Sequence, residues 1–294
     1  MANINDEGFL ELSGIHNTSY KESLNAEKFN ILAGMTPLSL RVLNQACHRI
    51  HVAAGVEVMH AGDTPHDLYF IEKGRVNIGK VSGSEQHNVA QLNAGDFYGE
   101  YGALRGKTRF ASVFTAEPSE IIRVDLTAVQ QVFEADGEFR ARLYAIMQER
   151  MLNSFLFGHP VFSNMPKATR EVLARELDIV ELERGETLFN EGDSAEKYYL
   201  ILSGEAELIL NINDEVTMIE VRRENAALGE VRVNSGKAYA HGIYGASSLD
   251  LLALDNEGMR NIKKTYPEAL PLLNKFFSQS AKNTASILER AKKA

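Results

Sequence analysis

The sequence predicts a mainly β chain with flanking helices, built as two tandem jelly-roll-like barrels joined by a helix. Three observations carry this. Short apolar runs of strand length follow one another between turns at Gly55, Gly62-Asp63, Gly74 and Ser82-Gly83-Ser84, the pattern of an antiparallel β domain. Helical periodicity is confined to the edges of that region and to the stretch after it. Finally, the chain repeats itself at an offset of 130 residues: Gly55 falls on Gly185, Gly62-Asp63 on Gly192-Asp193, Tyr69 on Tyr199, Gly74 on Gly204, Gly99-Glu100 on Gly229-Glu230, Gly106-Lys107 on Gly236-Lys237 and Asp125 on Asp255, with no insertion or deletion. A unit of that length is a whole domain rather than a solenoid repeat.

Taken in order, residues 1–28 are polar and weakly periodic, with an apolar island at Phe9-Leu10 and no arginine. They read as an N-terminal arm, partly disordered or forming one short docking helix. A first domain follows over 29–157. Thr36 as cap, Pro37 at the first helical position and apolar Leu38, Leu40, Val42, Leu43 and Ala46 predict a helix over 37–47, which takes in Cys47 as a quiet core thiol. Strands are predicted over 67–73, 75–81, 111–115 and 120–125. The stretch 139–157 is rich in Arg, Leu, Met and Glu and lacks Gly and Pro, so it reads as the connecting helix. A second domain over 158–294 ends in a helix from 268 with a stripe of Leu270, Leu273, Phe276, Phe277, Ala281, Ile287 and Leu288. Such a stripe packs on its own barrel or, in the sharper alternative, on a partner or a second copy in a homodimer.

Composition narrows the function classes. The 294 residues carry 44% hydrophobic residues and a net charge of −9. That is enough for a sizeable core, and a poor match to nucleic acid or an anionic membrane. No run reaches membrane-spanning length, and no basic-then-apolar leader opens the chain, so a soluble cytoplasmic protein is expected. One cysteine cannot form an intrachain disulfide or a cysteine-held metal site. No Walker loop, kinase signature or nucleophile elbow is present. His48, His51, His60 and His66 share the first barrel without the closely spaced pair and following Glu that a cupin-like metal enzyme needs, so neither a metal nor a catalytic residue is assigned.

The chemistry concentrates in Gly95-Asp-Phe-Tyr-Gly99-Glu100-Tyr101-Gly102-Ala-Leu-Arg-Gly-Lys-Thr-Arg109-Phe110-Ala111-Ser112. A carboxylate follows a glycine, a short helical turn follows it, and a guanidinium stands nine residues later. Arginine can fork onto a phosphate while an ionised glutamate accepts from a sugar hydroxyl.

This stretch resembles the phosphate-binding cassette of cyclic nucleotide-binding domains, the family of the catabolite activator proteins, the regulatory subunits of cAMP-dependent kinase and the cyclic-nucleotide-gated channels. The resemblance extends over both copies, from about residue 29 to about 278. It implies that Glu100 takes the ribose 2′-hydroxyl, Arg109 the exocyclic phosphate oxygens, and backbone N–H groups near Gly99 and Ala111 the rest, with Tyr101, Gly102, Phe110 and Ser112 completing the site. It also implies a non-enzymatic sensor whose ligand is cAMP or cGMP, with no cofactor, signalling to a protein partner through the helix after the barrel. The residue that covers the base is left open between Tyr144, Met147 and Phe155. Relatives that prefer cGMP place Ser or Thr directly after the cassette arginine; Phe110 stands there, so cAMP is expected, while its bulk leaves open a larger cyclic dinucleotide. Catabolite-activator-type regulators carry a helix-turn-helix after the sensor, and here a second barrel takes that space.

The second copy keeps Gly229-Glu230 but has Tyr239 in place of Arg109 and His241-Gly242 in place of Ala111-Ser112. A phenol cannot fork onto a phosphate. The second site therefore reads as degenerate, filled from within by Glu230 bonding backbone N–H groups or Tyr239; Arg232 and Lys237 are the alternative cations, off the matching position. Two rivals to the sensor remain: a metal-dependent jelly-roll enzyme, and a structural interaction protein whose pockets are both dead.

Overall fold

The structure, a computed structural model, describes residues 24–293 except 65–66, 83–84, 160, 214 and 230–237, without the side chains of 80–89, and the backbone of three short strands nearer the N-terminus. The chain divides into two compact units, Met1–Arg150 and Met151–Ala294.

In the first unit, β1 (Asn3–Ile4), β2 (Leu10–Glu11) and β3 (Ile15–Ser19) precede α1 (Pro37–Gln45). Strands β4 (Cys47–Val52), β5 (Glu57–Met59), β6 (Leu68–Lys73), β7 (Arg75–Ser82), β8 (Glu85–Asn93) and β9 (Phe97–Tyr98) come next. They are followed by α2 (Glu100–Arg105), β10 (Ser112–Thr115), β11 (Ser119–Val124), α3 (Leu126–Ala135) and α4 (Gly137–Gly158). A five-stranded sheet β3-β4-β11-β6-β9 packs on a four-stranded sheet β5-β10-β7-β8, giving a jelly roll of two sheets rather than a closed barrel.

Strand alternation lets β6 serve two cores. Tyr69 and Ile71 join Val52, Tyr98, Val113 and Ile121 with Val76 between the sheets. Leu68 and Phe70 emerge on the other face and pack with Phe29 and with Leu43, Val129, Phe133, Phe139 and Leu143 of the helices. Each such burial is worth about 1.5–3 kcal/mol, so the sheet is clamped from both sides around the strand that leads into the site.

The start of α1 is as expected: the Thr36 side chain accepts from the Ser39 N–H at 3.1 Å, and Pro37 occupies the first turn. Its end is not. The helix stops at Gln45, and Cys47 is the first residue of β4, opposite Val124 of β11, where strand pairing overrides the helical spacing of the sequence; its thiol is buried, as expected. The arm is also corrected. Its described part is strand, not a docking helix: β3 pairs antiparallel with β4 from Ile15↔Val52 to Ser19↔His48, because the edge of β4 offers unpaired backbone groups to any extended segment. Leu10 lies in β2, and Phe9 is outside the described residues. Helix α3 was not expected, although Leu126, Val129, Val132 and Phe133 carry its periodicity.

The second unit repeats the plan with α5 (Lys167–Arg175), β12 (Asp178–Leu182), β13 (Thr187–Phe189), β14 (Lys197–Ser203), β15 (Ala206–Ile212), β16 (Glu215–Arg222), β17 (Ala227–Leu228), β18 (Gly242–Gly245), β19 (Leu249–Asp255), α6 (Asn256–Thr265) and α7 (Leu270–Ala291). Its sheets are β12-β19-β14-β17 and β13-β18-β15-β16. The 130-residue offset holds in three dimensions: β9 maps onto β17 and β10 onto β18 without a shift. The C-terminal stripe packs inside its own unit, with Leu273, Phe277 and Leu288 buried and the Phe277 ring 4.2 Å from that of Tyr198. Among the described residues no helix is long and apolar enough to cross a membrane.

Candidate functional site

Gly99 is the turn on which the first site is built. Its φ is +94°, and a Cβ there would stand 2.7 Å from the Asp67 carbonyl oxygen and 3.0 Å from Arg109 Nη1, so both backbone conformation and space demand glycine. Helix α2 starts at the next residue, with Glu100, Tyr101, Gly102 and Ala103 buried.

Arg109 lies on the loop between α2 and β10. Its N–H donates to the Asp63 carbonyl and its own carbonyl accepts from the Gly62 N–H, both at 2.9 Å. The residue is 4% exposed. Nη1 donates to the Gly99 carbonyl at 2.9 Å and Nη2 to the Asp67 carbonyl at 2.8 Å. These bonds use two of the five guanidinium donors. Burial lowers the pKa of the group, opposed by Tyr69, Asp67, Tyr98 and Glu100; an arginine nevertheless stays charged.

Glu100 accepts at Oε1 from Arg150 Nη1 at 3.2 Å. The same nitrogen donates to the Phe97 carbonyl at 2.7 Å, and the guanidinium lies 4.5 Å from the Phe97 ring centroid. Arg150 sits on α4, so the helix after the jelly roll is fastened directly to the cassette carboxylate. Tyr101 and Phe110 place their rings 5.3 Å apart. Ala111 is buried, and the hydroxyl of Ser112, also buried, accepts from the Ala61 N–H at 2.9 Å.

The structure thus brings Gly99, Glu100 and Arg109 together and sets Tyr101 against Phe110. Sequence reasoning missed Arg150, the Asp67 carbonyl, and the stacked Tyr69 and Tyr98 rings, 4.9 Å apart. No local motif marks a backbone oxygen or a helix residue fifty positions away. The Tyr98 hydroxyl is buried without a hydrogen-bond partner, and burial pushes its pKa well up. Of the three candidates to cover a base, Met147 is fully buried and Phe155 packs its ring against His159 and Phe162, whereas Tyr144 is half-buried.

In the second unit Tyr239 occupies the arginine's place, with the same backbone bonds and one of its two side-chain bonds. The Gly192 N–H donates to its carbonyl at 3.0 Å and its own N–H to Asp193 at 2.8 Å. Its hydroxyl donates to the Lys197 carbonyl at 3.0 Å, the counterpart of the Asp67 carbonyl. The ring stacks on Phe189 at 3.8 Å, and burial pushes the phenol up to about 12. Glu230, Arg232 and Lys237 lie outside the described residues, and the bond described for Tyr239 runs to backbone. Among the described residues no group of three His, Cys, Asp or Glu side chains is placed to hold a metal.

Comparison with known proteins agrees with this architecture. The cyclic nucleotide-binding domain family matches residues 49–136 and again 179–266. The cAMP-dependent protein kinase regulatory subunit of Emericella nidulans is 24% identical over 233 residues, covering 76% of this chain and 54% of that protein. The corresponding subunit of Schizosaccharomyces pombe is 25% identical over 182 residues, covering 58% and 42%. The chain therefore spans about half the length of these curated relatives. Among solved structures, the regulatory domain of Toxoplasma gondii PKA with cAMP is similar over 85% of this chain and 92% of its own, at 17% identity and a TM-score of 0.39. With both of its units matched, the chain belongs to the cyclic nucleotide-binding domain family.

Proposed function

We propose that this protein is a cyclic nucleotide sensor that takes one ligand, cAMP, in its first unit and signals to a protein partner. The observation that carries the reading is the asymmetry between the copies: a buried guanidinium and a buried carboxylate flank Gly99 in the first, and a phenol stands in the guanidinium's place in the second. The donors of Arg109 left over from its two carbonyl bonds are the receptor for phosphate oxygens, and Glu100 is the acceptor for a ribose hydroxyl. Since Arg150 holds the same carboxylate, a ligand hydroxyl arriving there competes for the bond that fastens α4, and this is the proposed route of the signal. The likeness to regulatory subunits of cAMP-dependent protein kinase makes a protein kinase the first partner to test. The Tyr101–Phe110 pair favours a second reading in which the ligand is a larger cyclic dinucleotide.

The test is calorimetric titration with cAMP, cGMP and a cyclic dinucleotide on the native chain and on Arg109→Ala. Removing the charged partner of a desolvated phosphate costs about 2–5 kcal/mol, so binding of the preferred ligand should disappear. Unchanged affinity in the variant would overturn the assignment of the site. A native chain that binds none of the three would be the purely structural interaction protein.

A further inference from the structure

The second unit carries a cleft lined by polar groups where the first unit has core residues. We infer that this cleft binds a small phosphorylated molecule, independently of the site around Arg109. It measures about 610 Å³ and lies between the first two turns of α6, the start of α7 and the loop at Ser194–Glu196. That volume falls inside the range of small-molecule sites, about 300–1,000 Å³.

Its chemistry is a local departure from the internal repeat. Asn256 stands where the first unit has Leu126, and Lys263 where it has Phe133, both of them packed in the apolar core there. Arg260 lies one turn from Asn256 on the same face of α6. Arg260 and Lys263 are exposed and have no ion-pair partner among the described residues. With Glu196 as the lining carboxylate, the cleft carries a net charge of about +1 by simple count, in a chain whose total is −9.

Two unpaired cations three residues apart suit a dianion, and a phosphate monoester supplies it with oxygens that an arginine can fork. A further contact comes from Asn256: its Oδ1 is sealed from solvent, which leaves the amide Nδ2 as the group that can face the cleft and donate to a phosphate oxygen. Asn274, on α7 across the cleft, offers a further amide. The concave shape and the acidic chain around it favour a small molecule over a polyanion.

The experiment is calorimetric titration of the full chain with ribose 5-phosphate and, separately, with inorganic phosphate, each with and without saturating cAMP. Ribose 5-phosphate should bind more tightly than inorganic phosphate and should be indifferent to cAMP. Affinity should fall about tenfold or more in Arg260→Ala/Lys263→Ala, whose side chains are exposed, and in Asn256→Leu, which installs the first unit's residue. No binding of ribose 5-phosphate to the native chain, displacement by cAMP, or equal affinity in the double variant would each overturn the inference.

Discussion

Acidification from pH 7.5 to 5.0 should cost the second unit about 4 kcal/mol of stability, through two histidines. His159 and His241 are each 1% exposed. The ring of His159 lies 5.0 Å from Phe155, 4.6 Å from Phe162 and 5.1 Å from Phe276, with Nδ1 accepting from the Val161 N–H at 3.2 Å. His241 packs against Phe189 at 5.7 Å and has a buried, unpartnered Nδ1. Burial takes both pKa values from 6.5 to about 4, with Arg222 acting in the same direction on His241 and the Asn225 backbone opposing it at His159. The native state therefore binds these protons less readily than the unfolded chain does. The stability they contribute is complete above pH 6.5 and is lost as pH falls toward 4. At pH 5 the linkage relation gives a loss of about 2 kcal/mol per histidine. Carboxylates titrate mostly below this window. Urea unfolding of the native chain, His159→Phe and His241→Leu at both pH values measures the effect, and each variant should lose about half of the pH dependence. A native chain as stable at pH 5.0 as at 7.5, or variants with the native slope, would refute the reasoning.

Three further outcomes follow from the first unit. Arg150→Ala removes the partner of a buried carboxylate and should destabilise that unit by about 1–2 kcal/mol; an unchanged urea midpoint would mean that the Glu100 pair is not formed in solution. Gly99→Ala forces a Cβ into a left-handed turn and against the Asp67 carbonyl, costing about 1–3 kcal/mol, which the same unfolding measurement would register or deny. Calorimetry should saturate at one nucleotide per chain, since Tyr239 supplies no charge; saturation at two would show that the second unit is a working receptor.

Much of the fold was legible because it is written twice. Glycines at matching positions fix turns, and the apolar runs between them located β6, β7, β10 and β11 to within a residue. The cassette was legible because Gly99, Glu100 and Arg109 are local in sequence. What escaped was non-local. Cys47 follows a helix-like pattern, yet β11 claims it as a strand residue; β3 exists because β4 has a free edge; and Arg150 reaches Glu100 only once α4 has packed. Periodicity reports which face is buried, not which distant backbone group completes the pairing.

The hydroxyl of Tyr239 on the Lys197 carbonyl has a meaning beyond the second unit. At the matching position Arg109 does two jobs with one side chain: it splints the Gly99 and Asp67 turns together, and it offers positive charge. The phenol keeps part of the splint and discards the charge, so the molecule contains its own control for separating mechanical from electrostatic contributions at one position. Alanine at 109 would delete both at once and leave the Asp67 carbonyl unbraced, whereas Arg109→Tyr would transplant the second unit's solution into the first. The difference between those two variants reports the part of the mechanical role that runs through the Asp67 carbonyl, separated from the charge.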